Sequence, residues 1–373
     1  MKDCTGGAGE VKVKRIMFVI PSLCAGGAER VVSELANEFS NIGLDVGILL
    51  VSKDAVVYDL NPAIKLISLE EGMKGHKWVA SMFKRCVLIR GGVKRFNPDL
   101  VLSFLSVINI YTCASLLFSR YKLIVSVRND PGKDPPDPIK RRIRDFVYRY
   151  ADGYVFQTGL ARGYFPTEIR EKSAIIPNPL KNDLPGPYNG EREKRIVAVG
   201  RLEGQKNYPL LLKAYALLRN EHPDYILDIF GEGSQRACLE SLTRELGVEK
   251  WVNFRGVVSN VHDLMEKASL YVLTSDYEGM PNALMEAMAM GLPCIASRCP
   301  CGGPAMLINH GENGLLFEVG DKNGLLLNMK KVLKDGDLAG KLSANAVKIK
   351  STYRLADIAR RWLAFAETVV SRE

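Results

Sequence analysis

The chain has 373 residues, of which 47% are hydrophobic and 25% charged, and its formal net charge is +9. This composition excludes a disordered chain and is typical of a soluble globular protein with enough core for two domains. Its eight cysteines form no CxxC pair and only four histidines accompany them. A disulfide framework or zinc site is therefore not expected, and a reducing cytosol fits best.

The positive charge is concentrated in the first half of the chain. Up to Pro187 there are 27 Lys and Arg against 19 Asp and Glu, whereas the remainder has 24 against 23. A basic half predicts an anionic partner, either nucleic acid, lipid head groups or a phosphorylated substrate, with an ordinary basic surface as the alternative. The first dozen residues are Gly-rich and polar and lack a signal pattern, so no secretory peptide is expected.

Short apolar runs alternate with helical segments along the whole chain. The run 15–21 precedes a loop with Gly26 and Gly27, and a helix is predicted from near Ala28 to Ile42. This unit indicates a doubly wound α/β domain, and paired glycines before a helix favour an anion. The other strands are predicted at 46–51, 64–69, 100–104, 123–127, 154–157, 174–176, 196–199, 226–230, 252–255, 270–273, 293–296 and 315–317.

Three segments of the first half bear on membranes. Residues 100–119 carry no formal charge but contain six Ser, Thr and Asn residues, which favours a strand followed by a helix over a membrane span. Residues 76–95 and 139–150 are predicted helices with basic residues. The first could lie on an anionic membrane or be an ordinary helix with a basic outer face, and both interpretations stay open.

The best linker in the chain is the stretch 177–190, which is rich in Pro, Asn and Gly. We place the domain boundary between 180 and 181. A second series of strands, loops and helices begins directly after it, and the end of the chain, 321–370, is predicted to be helical. No short repeat is present, so the repetition is that of whole α/β domains.

The stretch 274–291 combines a strand end, a loop and a helix. Glu278 lies in the loop with Gly279 and Pro281, Asn282 is the predicted N-cap, and Glu286 lies about one turn into the helix. An anion above the helix start, with hydroxyl groups in reach of two carboxylates, describes a sugar nucleotide. The alternative is that both glutamates are ordinary solvated residues.

A second loop, 200–207, follows the first strand of the second domain and carries Arg201 and Lys206. Both residues should lie at the same sheet edge as Glu278, where two fixed cations could neutralise a diphosphate without a metal ion. The one Asp-x-Asp sequence, at 335–337, is interpreted as a surface turn. These donors would act where the leaving diphosphate gains charge.

Together these stretches resemble the retaining GT-B glycosyltransferases of family 4. The matching motifs are 26–30, 200–202 with 206–207, Glu278 and Glu286 as E-x7-E, 291–293 and 311–316. The resemblance implies an α/β fold of two Rossmann-like domains facing across a cleft: an acceptor domain 1–180, a nucleotide-sugar domain 181–354, and a C-terminal helix 355–373 crossing back to the first. The variant 275–282 is similar to members that build bacterial surface polysaccharides from UDP-hexoses or UDP-N-acetylhexosamines.

The resemblance also implies roles for single residues. Glu278 would contact the donor sugar, Glu286 the ribose, and Arg201 with Lys206 the diphosphate, helped by the N–H groups of Met280 to Ala283. No cofactor is implied. The further donor-binding residues that it implies are Gly26, Gly27, Gly231, Glu232, Gly233, Asn260, Val261, Gly279, Met280, Pro281, Asn282 and Ala283.

One departure from the family affects the mechanism. Many members carry a histidine after a first-domain strand, but the comparable loop here, 126–130, has none. This favours front-face departure, in which the leaving phosphate takes the acceptor proton. Arg128, Asn129 and Asp130 in this loop are then candidates for acceptor binding.

The sequence thus predicts a cytoplasmic, metal-independent, retaining glycosyltransferase that uses a UDP-sugar and a lipid-linked glycan acceptor. Its basic half predicts peripheral contact with the acidic inner face of the cytoplasmic membrane. One alternative is a nicotinamide-dependent dehydrogenase, because 231–233 is a partial dinucleotide motif, although Arg236 replaces its third glycine. Another is a nucleic-acid binder, which rests on charge alone and lacks interleaved aromatic residues.

Overall fold

The computed structural model describes residues 13–24, 26–52, 56–69 and 78–372. The predictions for the first dozen residues and for the start of the helix at His76 lie outside these ranges. The side chains of residues 78–82, including the tryptophan of that helix, also lie outside the description.

The first domain contains a parallel seven-stranded sheet with the order β3-β2-β1-β4-β5-β6-β7. Its strands are β1 (Arg15–Ile20), β2 (Asp45–Leu50), β3 (Lys65–Ser68), β4 (Leu100–Phe104), β5 (Lys122–Val127), β6 (Gly153–Phe156) and β7 (Ser173–Ile175). Its helices are α1 (Gly27–Asn41), α2 (Trp78–Phe96), α3 (Ser106–Leu116), α4 (Pro138–Val147), α5 (Gly159–Gly163) and α6 (Thr167–Glu171).

The second domain contains a parallel six-stranded sheet with the order β10-β9-β8-β11-β12-β13. Its strands are β8 (Glu193–Val199), β9 (Ile226–Phe230), β10 (Val252–Gly256), β11 (Ala268–Leu273), β12 (Cys294–Ser297) and β13 (Leu315–Phe317). The helices that follow are α7 (Tyr208–Leu218), α8 (Arg236–Glu245), α9 (Val261–Met265), α10 (Asn282–Ala289), α11 (Gly303–Leu307), α12 (Lys322–Lys334), α13 (Gly336–Ala346), α14 (Ile349–Thr352) and α15 (Leu355–Val370).

Both sheets are doubly wound, which confirms the predicted fold. Central strands such as β4 are buried along their whole length, because helices cover both faces of the sheet, and this explains their continuous apolar runs. In each sheet the strand order reverses beside the first strand, and such reversals open a crevice at the carboxyl ends of the strands. All thirteen predicted strands are present among the described residues. The five-residue helices α5, α6 and α11 were not predicted, since they are too short to show helical periodicity.

The last helix, α15, returns to the first domain as predicted. The buried ring of Trp362 stacks on Phe104 of β4 with the ring centroids 5.6 Å apart. The chain passes between the domains near Leu180 and again near Tyr353. These two segments are adjacent, because the Leu180 N–H donates to the Tyr353 carbonyl at 2.8 Å. The boundary between 180 and 181 itself stays a prediction.

The uncharged segment 100–119 forms a strand and a helix, β4 and α3, as predicted. Within the described ranges, no helix combines the length and the apolar character that crossing a bilayer requires.

Candidate active site in the cleft between the domains

Two loops of the second domain, after β8 and after β11, are joined at the carboxyl edge of the sheet. The Thr274 hydroxyl donates to the Lys206 carbonyl at 2.8 Å. The Gln205 side chain donates to the Tyr277 carbonyl at 2.8 Å, and the Gln205 carbonyl accepts from the Asp276 N–H at 2.9 Å. Because these bonds run in both directions between the loops, they fix the position of one loop relative to the other.

The joined loops bring together the predicted residues Arg201, Lys206 and Glu278. The Lys206 ammonium forms an ion pair with Glu278, whose carboxylate also accepts from the Ser275 hydroxyl at 2.7 Å. The charge of Lys206 is therefore balanced by Glu278 in this structure. Arg201 is exposed and forms no side-chain ion pair within the described part of the chain, so its charge is available to a ligand.

Glu286 lies in α10 and contacts one basic side chain from each domain. Its carboxylate lies 3.4 Å from Arg30 Nε of α1 and 3.0 Å from His262 Nε2 of α9. Burial raises the pKa of Glu286, but Arg30 and His262 together lower it by more than burial raises it. The pKa of Glu286 therefore lies below its usual range. Glu286, which was predicted to contact the ribose, thus also joins the two domains in this structure.

The glycine loop of the first domain faces the start of α10. The Tyr58 hydroxyl accepts from the Gly26 N–H and donates to its carbonyl, at 3.0 and 2.9 Å. The Asn282 side chain donates to the Gly27 carbonyl at 2.9 Å. Asn282 was predicted as the N-cap of α10, and this was wrong: Pro281 occupies the cap position and Asn282 is the first helical residue. Its amide reaches across the cleft instead of capping its own helix.

The loop before α10 contacts the first domain directly. The Met280 N–H donates to Gln157 Oε1 at 3.0 Å, and the Met280 carbonyl accepts from the Asn178 amide at 3.1 Å. That the Met280 N–H helps hold a diphosphate stays a prediction, and in this structure the donor is paired with Gln157. The N–H groups of Asn282 and Ala283 begin the helix and have no partner within it.

Arg128 lies at the interdomain face of the loop after β5. Its guanidinium donates to the Asn178 side-chain oxygen and lies over the Phe104 ring at 5.4 Å. Burial lowers the pKa of Arg128, and the charge on Arg30 lowers it further. The other two predicted acceptor residues shape the loop: the Asn129 side chain accepts from the Asp130 N–H, and the Asp130 side chain accepts from a later backbone N–H.

Acidic groups of the first domain face Arg201. Burial raises the pKa of Glu29, and the charge on Arg201 opposes that rise. Burial likewise raises the pKa of Asp134, against its hydrogen bond to Ser106 and the charges on Arg144 and Arg201. Both faces of the cleft therefore carry cations, and the first domain adds buried carboxyl groups of raised pKa opposite Arg201.

Packing also requires glycine at Gly231 and Gly233, two of the predicted donor-binding residues. A Cβ on Gly231 would lie 2.1 Å from the Gly200 carbonyl oxygen, and one on Gly233 would lie 2.5 Å from that of Leu202. The loop between them thus packs directly on the Arg201 loop. The carboxylate of Glu232 pairs with Arg236, the residue that replaces the third glycine of a dinucleotide motif.

The last two predicted donor residues, Asn260 and Val261, lie at the start of α9, where Asn260 is exposed and Val261 is half-buried. Helix α9 packs beside α10 and supplies His262 to Glu286. The structure therefore places these residues near Glu286, which was predicted to contact the ribose.

Sequence reasoning missed four residues that join the halves of the site: Arg30, Gln157, Asn178 and His262. Arg30 belonged to a quoted motif without a role, and Asn178 was interpreted only as part of a linker. Gln157 follows the carboxyl end of β6, a position where polar residues commonly meet ligands, and this signal could have identified it. His262 showed no signal by itself.

Seven cysteines are described, and none of these seven forms a disulfide bond. Among the described residues, no three or more His, Cys, Asp or Glu side chains are grouped as they would be to hold a metal ion.

Two doubly wound domains that face each other at their strand ends have the architecture of the GT-B fold, and comparison with known proteins agrees. The sequence family "Glycosyl transferases group 1" matches residues 185–349. A Campylobacter jejuni protein is 30% identical over 354 residues, which is 94% of this chain and 97% of that protein. It is named GalNAc-α-(1→4)-GalNAc-α-(1→3)-diNAcBac-PP-undecaprenol α-1,4-N-acetyl-D-galactosaminyltransferase. An uncharacterized glycosyltransferase of Haemophilus influenzae is 26% identical, over 94% of this chain and 99% of its own.

Solved structures share the architecture at low sequence identity. Sucrose-phosphate synthase from Thermosynechococcus elongatus superposes with a TM-score of 0.82 at 19% identity, over 94% of this chain and 97% of that one. HepE of Anabaena, solved with UDP and glucose, gives 0.82 at 18% identity, over 96% and 100%. The chain belongs to the group 1 glycosyltransferases and has the GT-B fold.

Proposed function

We propose that this glycosyltransferase moves a hexose or N-acetylhexosamine from a UDP-sugar to a hydroxyl group of a lipid-linked glycan, with retention of configuration and without a metal ion. The observation that carries the proposal is the joined pair of loops, which brings the loop of Arg201 beside the Lys206–Glu278 pair, ahead of α10. Cations and helix-end N–H groups would meet the diphosphate there, while carboxylates meet sugar hydroxyls.

The donor side of the proposal has two supports. The free Arg201 guanidinium gives bidentate donors for phosphate, and the Glu278 carboxylate fixes the Lys206 ammonium beside it. Two proteins of the same fold, HepE of Anabaena and the S. aureus protein TarM, have been solved with UDP bound. Glu286 would exchange part of its interdomain contact for the ribose hydroxyls.

The transfer step would occur on one face of the donor sugar. The bond between the anomeric carbon and the diphosphate oxygen breaks, the acceptor hydroxyl oxygen bonds to that carbon from the same side, and its proton passes to the departing phosphate. Arg201, Lys206 and the N–H groups of Asn282 and Ala283 would stabilise the charge that the diphosphate gains. Retention also fits the α linkage in the name of the Campylobacter relative, because UDP-hexoses of this kind carry an α-linked nucleotide.

The acceptor side rests on the first domain. The Campylobacter relative acts, by its name, on a diphospho-undecaprenol-linked glycan. A second Campylobacter protein, 34% identical over 147 residues, is also named for such an acceptor. Arg128 would then meet an anionic part of the acceptor, and the enzyme would work at the acidic inner face of the cytoplasmic membrane.

Thermal-shift measurements against UDP, GDP and ADP, followed by transfer assays with a panel of UDP-sugars and a diphospho-undecaprenol-linked oligosaccharide, test the proposal. We expect stabilisation by UDP above GDP and ADP, an α-linked product by NMR, and full activity in the presence of a chelator. Reversible loss of turnover with chelator would contradict metal independence. A β-linked product would contradict retention, and preference for GDP or ADP would contradict the donor.

A further inference from the structure

Helix α4 has an inverted distribution of polar and apolar side chains. Among its ten residues only Arg144 is buried. Ile139, Ile143 and Phe146 are instead 65%, 41% and 59% exposed. A helix that packs on a sheet normally buries such residues and leaves arginine in water, and a buried charge together with an exposed apolar row is the informative exception.

The buried arginine explains how α4 can stay attached without its apolar side chains. The Arg144 guanidinium donates to the Pro131 carbonyl at 2.7 Å and to the Asp145 carboxylate at 2.7 Å. It also lies over the rings of Tyr164 and Phe165, at 5.1 and 5.3 Å from their centroids. These contacts satisfy the charge inside the domain, so the isoleucines and the phenylalanine are left available for another partner.

The apolar residues form one continuous row. Ile139, Ile143, Phe146 and Tyr150 recur every three or four residues, which places them along one line of the helix and its final turn, about 18 Å long. The rings of Phe146 and Tyr150 are in contact, with centroids 5.9 Å apart. Beyond Tyr150 lies a surface cavity of about 300 Å³ whose wall includes Phe118, and Phe118 is 97% exposed. The row therefore ends at a second exposed aromatic ring.

Cations accompany this row. Lys140, Arg142 and Arg149 lie on α4 and its final turn, and none of them forms an ion pair within the described ranges. The one carboxylate of α4, that of Asp145, is occupied by Arg144. Aromatic and aliphatic side chains next to unpaired cations match an anionic lipid surface, where the rings enter the head-group region and the cations meet phosphates.

We propose that the row Ile139, Ile143, Phe146 and Tyr150, with Phe118 and the neighbouring cations, is the surface by which this enzyme docks on an acidic phospholipid bilayer. The role of this docking, which is to bring the cleft to a lipid-linked acceptor, rests on the proposed function. Arg144 ties α4 to Pro131, in the loop that follows β5 and carries Arg128 into the cleft. Docking would therefore hold the cleft mouth at the membrane, where a lipid-linked acceptor resides.

Flotation with vesicles tests the apolar part of this surface. The full chain is mixed with vesicles of phosphatidylcholine alone or with added phosphatidylglycerol. We expect it to float with the acidic vesicles only, and we expect the double change Ile143→Ser and Phe146→Ser to lower bound protein about tenfold. The matched control is Leu327→Ser, since Leu327 is 66% exposed on α12 of the other domain. Equal flotation of the double variant and wild type would overturn the proposal.

The charged part has its own pair of variants. Arg142→Gln with Arg149→Gln should lower recovery with acidic vesicles several-fold, because each cation near the surface contributes to the attraction. Lys331→Gln with Lys334→Gln, two exposed lysines on α12, removes the same charge elsewhere and should leave recovery unchanged. Equal loss in both pairs would mean that net charge alone, and not this surface, binds the vesicles, and would overturn the proposal.

Two further measurements separate this inference from the proposed function. All four variants should keep the thermal shift given by UDP, because none of the changed residues lies in the cleft. A wild-type enzyme that transfers sugar but does not float would refute the docking surface and leave the function intact. Sedimentation velocity tests the alternative that a second copy of the chain covers this surface. The membrane assignment would be overturned if the wild type were a dimer that does not float on acidic vesicles, and if Ile143→Ser with Phe146→Ser converted this dimer to monomer.

Discussion

The two faces of the cleft differ in how their charges are balanced. In the second domain, the Lys206 cation is paired with Glu278, and Ser275 completes the carboxylate's contacts. In the first domain, Arg128 forms no ion pair among the described residues, and its Nε has no hydrogen-bond partner. A balanced ion pair is stable without ligand, whereas a half-buried unpaired cation becomes favourable when an anion arrives. The Lys206–Glu278 pair is therefore preorganised, with the exposed and unpaired Arg201 beside it, whereas Arg128 on the acceptor face depends on its ligand.

The largest expected effect comes from breaking the balanced pair. Lys206→Ala and Glu278→Ala should each lower kcat about 10²–10³-fold, because the first removes a cation that meets the charge gained by the diphosphate and the second removes the carboxylate that holds this cation and the donor sugar. The two losses should not add, since Glu278 also positions the Lys206 ammonium. Steady-state transfer assays measure both, with Lys213→Ala, an exposed lysine on α7, as control. Full activity of Glu278→Ala would remove the carboxylate from the donor site.

The unpaired cation of the opposite face gives the next effect. Arg128→Gln should lower kcat/KM for the lipid-linked acceptor about 10–100-fold, because a charge-assisted contact to an anionic group is lost. Its Tm should equal or exceed that of wild type, since burial disfavours the charged form of Arg128. Calorimetry with UDP should give an unchanged Kd.

Arg95→Gln, an exposed arginine on α2 of the same domain, is the matched control and should change neither quantity. A variant that loses UDP affinity instead of acceptor efficiency would assign Arg128 to the donor and remove the contrast between the two faces.

The contact between the faces can be changed at one glycine. A Cβ on Gly279 would lie 2.1 Å from Gln157 Oε1 and 2.3 Å from the Arg128 carbonyl oxygen. Gly279→Ala should therefore force the domains apart and lower kcat/KM about tenfold. Gly204→Ala is the control within the donor loops, because its Cβ would meet nothing closer than 3.6 Å. If both variants were as active as wild type, turnover would not need this contact.

The sequence could predict the features within one domain but not the contacts between the two faces of the cleft. The strands and the donor loops follow from local signals: apolar runs, glycines and charged residues directly after strand ends. The contacts that close the cleft do not, because Asn178 and Met280 are 102 residues apart and Asn282 lies 255 residues from Gly27. Helix α4 shows a different limit. Its periodicity predicted a helix, but the same periodicity cannot tell whether the apolar side faces the sheet or the solvent.

The smallest expected effect concerns the ion pair that joins the domains. Glu286→Gln removes one of the two carboxylates that contact Arg30 and should lower the free energy of unfolding by about 1 kcal/mol at neutral pH. The pKa of Glu286 is lowered in the folded state, so its contribution is present above the unfolded-state pKa and is lost as the pH falls through the folded-state value.

Urea unfolding at neutral pH and at about pH 3 should therefore show a gap between wild type and Glu286→Gln that closes in acid. The control Glu318→Gln breaks the exposed pair with Arg298 in the same domain and should shift stability by less than about 0.5 kcal/mol at either pH. A gap that keeps its size at low pH would show that the carboxylate charge does not stabilise the closed cleft. The two faces would then be joined by their neutral amide contacts, such as that of Asn178 with Met280.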